Sequence, residues 1–163
     1  MPPSRKEIGD FIDAAVQDPA AAKRMAAANR ELLDARWLHG ETTLHFLAVE
    51  GYATAVRLLA ELGVDVNAVN DFGDTALIDV IVMENLELAQ FLLEHGANPN
   101  ATSQTHDCAL HAAIQTGNPE LIELLLMAGA KPLEESLELA LMMSKNRMVA
   151  ESVLARHNVK MQG

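Results

Sequence analysis

Cysteine occurs once, at Cys108, so no internal disulfide framework can form, and a single thiol suits a reducing compartment. Aromatic residues are only 4% of the chain. A core must therefore be built from Leu, Ala, Val, Ile and Met, a composition that favours helices. Basic residues are few, 12 Lys plus Arg against 23 Asp plus Glu, for a formal charge of −11. They cluster no further than Arg5-Lys6 and Lys23-Arg24. A nucleic-acid surface needs concentrated positive charge, and anionic lipid attracts the same sign, so neither partner is expected. No run approaches the roughly 18 apolar residues of a membrane span. The opening MPPSRKEIGD has no apolar segment of signal-peptide length. The expectation is a soluble cytoplasmic protein. At 163 residues, half of them hydrophobic, one domain with a sizeable core is expected.

What is present is a repeat. Residues 40–45 read GETTLH, residues 73–78 GDTALI and residues 106–111 HDCALH. Leu44, Leu77 and Leu110 are 33 apart, as are Gly63, Gly96 and Gly129, and Leu59, Leu92 and Leu125. Asn67 and Asn100 keep the same spacing. Three consecutive ungapped units at one period carry far more information than any isolated motif.

Each unit has a legible local structure. Thr42 and Thr75 are suited to cap a helix. First helices are expected over 44–50, 77–83 and 110–116, with Gly51 and Gly117 as left-handed ends. Second helices are expected over 53–62, 86–95 and 119–128, with Pro119 in a first turn. Val56, Leu59 and Leu62 form an apolar stripe at helical spacing. The segments GVDVNA, GANPNA and GAKPL are extended links to the next unit.

The period and the TxLH and GAxxN elements resemble the ankyrin repeat. The resemblance covers about residues 36–132 and continues more weakly on both sides. Residues 11–18 lie 33 before residues 44–51, and residues 136–143 lie 27 after residues 109–116. It implies an all-α repeat solenoid: an ankyrin array of about five helix-turn-helix units joined by β-hairpin-like loops. Residues 1–163 then form one domain, with an N-terminal cap (1–35), full repeats (36–68, 69–101, 102–134) and a C-terminal cap (135–163). Phe11, Ile12, Ala15 and Val16 are expected to face the first full unit, and Leu137, Leu141, Val149 and Val153 to cover the last.

The stretch THDCALHA, residues 105–112, sets the lone Cys108 beside Asp107, His106 and His111. A thiol nucleophile with its base and a metal site are both conceivable there. By register, however, Cys108 replaces Thr42 and Thr75, and His111 matches His45. The resemblance implies that the Thr caps the first helix and that the His links adjacent hairpins. Thr42, His45, Thr75, Cys108 and His111 are thereby structural, with Asp107 a substitute cap and Ile78 a departure that loses the histidine bonds. No second cysteine, HxxxH pair or phosphate loop is present, so neither metal, cofactor nor catalysis is expected. Two other departures stand out. Glu84 replaces Gly51, so the left-handed residue is expected to pass to Asn85. Val80 and Ile81 stand where first helices usually carry small residues, which sets that unit apart or weakens it.

The resemblance implies protein–protein binding through hairpin tips and the concave first-helix face. The contact positions it marks in the first full unit are Arg36, Trp37, Leu38, His39, Glu41, Val49 and Glu50. In the second they are Val69, Asp71, Phe72, Asp74, Val82 and Met83. In the third they are Thr102, Gln104, Thr105, Asp107, Gln115 and Thr116. Leu38, Val49, Val69, Phe72, Val82 and Met83 are expected to form an apolar patch, the kind of surface that marks interfaces. Glu41, Glu50, Asp71, Asp74 and Asp107 surround it, against Arg36 alone. That pattern suits a protein partner with a basic, partly apolar surface, bound by a monomer. The alternative is that Phe72 and Met83 fold back on the array and the acids only confer solubility. The function classes are an adaptor or scaffold, a stand-alone inhibitor or immunity-type protein that covers a basic enzyme, and an enzyme using Cys108 and His111.

Overall fold

The computed structural model describes residues 2–160; the ends of the expected caps, Met1 and residues 161–163, lie outside the described residues. Among the described residues ten α-helices run in antiparallel pairs. They are α1 (Arg5–Gln17), α2 (Pro19–Ala28), α3 (Thr43–Val49), α4 (Ala53–Glu61), α5 (Ala76–Val82), α6 (Leu86–Glu94), α7 (Ala109–Thr116), α8 (Pro119–Met127), α9 (Glu134–Met143) and α10 (Arg147–Arg156). Two short strands, β1 (Thr102–Ser103) and β2 (Asp107–Cys108), pair antiparallel in the third full unit. The equivalent hairpins close with single bridges, Arg36 to Thr42 and Val69 to Thr75.

The capping chemistry explains where the helices begin. The Ser4 hydroxyl accepts from the Glu7 amide while the Glu7 carboxylate accepts from Ser4, a reciprocal box at the start of α1. Thr42 and Thr75 cap α3 and α5 as expected. Gly51 and Gly117 lie at φ 74° and 71°. At Gly117 a second constraint applies, since a Cβ there would stand 2.6 Å from the Asn146 backbone nitrogen. The turn between α9 and α10 thus packs directly on the end of α7.

First helices stack on first helices, in the order α3, α5, α7, α9, and α8 lies between α6 and α10 in the second row. Leu44, Leu77 and Leu110 are fully buried between the rows, as are Leu59, Leu92 and Leu125. Burying each such leucine contributes about 1.5–3 kcal/mol. Val80 and Ile81 are completely buried, and α5 contacts both α3 and α7. The β-branched helix is therefore packed into the row and not set apart from it. At the N-terminal end Phe11 and Ala15 are buried and Ile12 packs against the core, but Val16 is exposed, against expectation. It follows Ala15 on the helix and turns past the buried stripe. At the other end Leu137, Leu141 and Val153 are buried, Val149 is half-buried, and Ala150 and Leu154 complete the cover.

Glu84 keeps the left-handed conformation, at φ 56°, and Asn85 instead caps α6 by accepting from the Leu88 amide. The expected shift to Asn85 does not occur. The turn geometry is fixed by helices on either side, and Asn85 is already committed to capping. Glu84 is held by the Lys145 ammonium at 2.9 Å, an ion pair between a middle-unit turn and the C-terminal cap.

Candidate partner-binding surface

Three hydrogen-bond systems lock neighbouring units at their hairpins. In the first, His45 Nε2 donates to the Asp74 carbonyl at 3.0 Å, and its Nδ1 receives the Thr42 amide at 3.2 Å. Burial holds the His45 pKa below its usual value, which keeps the ring neutral as this bonding requires. In the second, Asn67 donates to the Gly96 carbonyl at 2.9 Å and accepts from the Asn98 amide at 2.7 Å. Asn100 repeats this one unit later, with Gly129 at 3.1 Å and Lys131 at 2.8 Å. The third is backbone to backbone: the Asp71 amide donates to the His39 carbonyl, and the Gln104 amide to the Phe72 carbonyl.

His111 uses the same position with the opposite tautomer. The Leu133 amide donates to its Nε2 at 3.2 Å, so Nδ1 carries the proton, facing Ser136 Oγ at 3.2 Å and Asp107 Oδ2 at 3.4 Å. Asp107 lies at φ 59° and does not replace the missing cap; it steadies the histidine ring instead. Cys108 stands at the cap position, buried, with no side-chain cap bond. Burial pushes its thiol pKa up, the opposite of what a nucleophile needs. Among the described residues no three His, Cys, Asp or Glu side chains gather as a metal site, and no helix is long and apolar enough to cross a membrane.

The contact positions divide into three groups. Trp37, Leu38, His39, Val49, Glu50, Val69, Asp71, Val82, Thr102 and Gln104 are exposed. So are Phe72 and Met83, at 44% and 56%, which removes the alternative that they fold back into the array. Phe72 rests beside the His39 ring, with centroids 5.9 Å apart, and thereby joins two hairpin tips.

The second group is exposed but engaged. Arg36 donates to the Gly40 carbonyl at 2.8 Å and to the Val69 carbonyl at 2.6 Å, clamping the first hairpin to the second. Thr105 donates to Asp74 at 2.6 Å.

The third group corrects the expected surface. Asp74 is only 6% exposed and is no rim acid. Its carboxylate accepts from Ser103 and Thr105, hydroxyls of the next hairpin, which supply the bonds that water would otherwise give. Gln115 and Thr116 are half-buried, because the C-terminal cap covers them: the Lys145 amide donates to the Gln115 carbonyl at 2.9 Å, and the Thr116 hydroxyl turns back to Ala113. Glu41 and Asp107 are half-buried as well.

One group on the first-helix row has no counterpart among the expected positions. Asp79, half-buried in the middle of α5, has its pKa raised to about 7 by burial first and by the Asp74 and Glu41 charges second. An acid inside the apolar run LIDVIV was its signal in the sequence.

The comparisons with known proteins agree with this architecture. No curated protein matches the chain. The family model described as ankyrin repeats in three copies matches residues 12–103 and 44–136. Ankyrin repeats are generally protein–protein interaction modules and typically not enzymes. With the 33-residue units, the capped first helices and the histidine-linked hairpins in place, the chain belongs to the ankyrin repeat family.

Proposed function

We propose that this chain is an adaptor or scaffold module that holds a protein partner against its hairpin tips and first-helix row. The observation that carries this reading is the exposure of Phe72 and Met83 together with Leu38, Val49, Val69 and Val82, large apolar side chains spread over two adjacent units. Single exposed apolar residues are ordinary, whereas grouped ones favour an interface. Glu50 and Asp71 flank them in the open, Glu41 and Asp107 more deeply, and Arg36 is engaged with backbone carbonyls. The partner is accordingly a protein with a basic, partly apolar surface, met in the cytoplasm. Nucleic acid and membrane are disfavoured by the −11 charge. A role in catalysis is disfavoured by the raised Cys108 thiol.

A stand-alone inhibitor that covers a basic enzyme uses the same surface, and the acidity favours it as a second reading. Capture on the immobilised chain from its source lysate, compared with a Phe72→Asp control, tests the proposal. A partner retained by the native chain and lost on the control supports it. A fall in that partner's enzymatic activity on binding selects the inhibitor. Equal capture by both forms contradicts the assigned surface.

A further inference from the structure

A terminal helix pair in a repeat array normally turns a polar outer face to water, since no neighbour covers it. The C-terminal pair departs from that rule. On α9 the buried stripe is Leu137, Ala140 and Leu141. Leu139, Met142 and Met143 repeat that spacing two residues later, and at about 100° per residue the two stripes centre on opposite sides of the helix. The second stripe is open, at 56%, 69% and 60%. Glu135 is the charged residue at its N-terminal end, one turn before Leu139. An apolar helix with two such flanks has the pattern of an interior row helix. The register makes the same point: Leu139 falls 27 residues after Ala112, which is buried.

Charge identifies what covers it. Residues 134–163 contain four acids, Glu134, Glu135, Glu138 and Glu151, and four bases, Lys145, Arg147, Arg156 and Lys160. The whole formal charge of −11 therefore belongs to residues 1–133. Arg147 further neutralises the cap locally, pairing with Glu138 at 2.9 Å and Glu151 at 2.6 Å. Of that charge residues 36–133 carry −10, so two copies meeting across the body of the array would oppose strongly acidic surfaces; the N-terminal cap carries −1 but, among the described residues, opens only Val16 as a large apolar side chain, so meeting there would bury little apolar area. Two copies meeting cap to cap place neutral, apolar ends together and hold the acidic bodies apart.

We propose that a second copy of this chain stacks on the outer flank of α9, continuing the first-helix row across a two-fold axis, in place of the monomer expected from the sequence. The contact is isologous, so it closes at two copies. Leu139, Met142 and Met143 form its centre, with the adaptable methionines filling the gap between the two helices.

Sedimentation velocity on the full chain, up to about 1 mM, tests this. The mass is expected to rise from 17.6 kDa to twice that value and stop. Added salt is expected to strengthen the association, because the acidic bodies repel. Leu139→Lys with Met142→Lys should hold the protomer mass over the whole range with an unchanged melting temperature, whereas Val16→Lys at the opposite end should leave the dimer intact. If the charged pair unfolds the cap, Leu139→Ser with Met142→Ser gives the same reading through a shift of about tenfold or more in the association midpoint. A protomer mass throughout, growth beyond two copies, weakening by salt, or a double variant that still dimerises would each overturn the proposal.

Discussion

The imidazole of His45 donates across 3.0 Å to the backbone carbonyl of Asp74, while the carboxylate of Asp74 accepts from Ser103 and Thr105 one unit further on. Through these two residues three successive hairpins are tied into one chain of hydrogen bonds. Hairpin position, and with it the placement of Phe72, depends on that chain.

Removing the ring at either histidine is expected to leave a buried backbone group unpaired. His45→Ala strands the Thr42 amide, and His111→Ala strands the Leu133 amide. Each is expected to cost about 1–3 kcal/mol in denaturant unfolding. Cys108→Thr should instead gain about 1 kcal/mol by restoring the missing cap bond. Stability retained in His111→Ala together with a lost activity would revive a chemical role for the Cys108 region.

Asp74 and Asp71 should behave differently, though both are acids of one hairpin. Asp74→Ala removes the acceptor for two hydroxyls and is expected to destabilise by about 1–3 kcal/mol. Asp71→Ala, at an exposed tip, should stay within about 0.5 kcal/mol of the native chain. Equal thermal melts for the two variants would return Asp74 to the surface rim.

The left-handed turn at Glu84 offers a clean comparison. Glu84→Gly and Glu84→Ala both lose the Lys145 ion pair, but only glycine takes φ 56° without cost. The glycine variant should be the more stable by about 1 kcal/mol. Equal stability would show that the turn relaxes out of the left-handed region.

Asp79 predicts a pH dependence of definite sign. Its folded pKa of about 7 lies above the ordinary value of 3.8. The folded state then holds the proton more tightly, so stability falls as pH rises from about 4 to 7. His45 and His111, with lowered folded values, act in the other direction and cost stability as pH falls below about 6.5. Asp79→Asn should therefore stabilise the chain at pH 8 more than at pH 4, and a gain independent of pH would contradict the burial of this carboxyl.

The repeat, the helix pairs and the structural histidines were legible because one 33-residue period samples the same environment three times. Helix ends fell within a residue or so, since Thr42, Thr75, Gly51 and Gly117 encode them locally. What could not be read depended on contacts between units. The burial of Asp74 rests on hydroxyls from the next hairpin, and the cover over Gln115 and Thr116 on the turn after α9. Both are non-local, and the register alone marks these positions as surface. Asn85 misled for a different reason, because a residue suited to the left-handed region is equally suited to cap a helix.

If Phe72 anchors a protein partner, the direct measurement is the affinity of Phe72→Asp for the captured partner beside its melting temperature. The charge placed there must be desolvated on binding. Affinity is expected to weaken by about 2–4 kcal/mol, the range of a hot-spot residue, with the melting temperature nearly unchanged. Unchanged affinity, or unfolding of the variant, would contradict it.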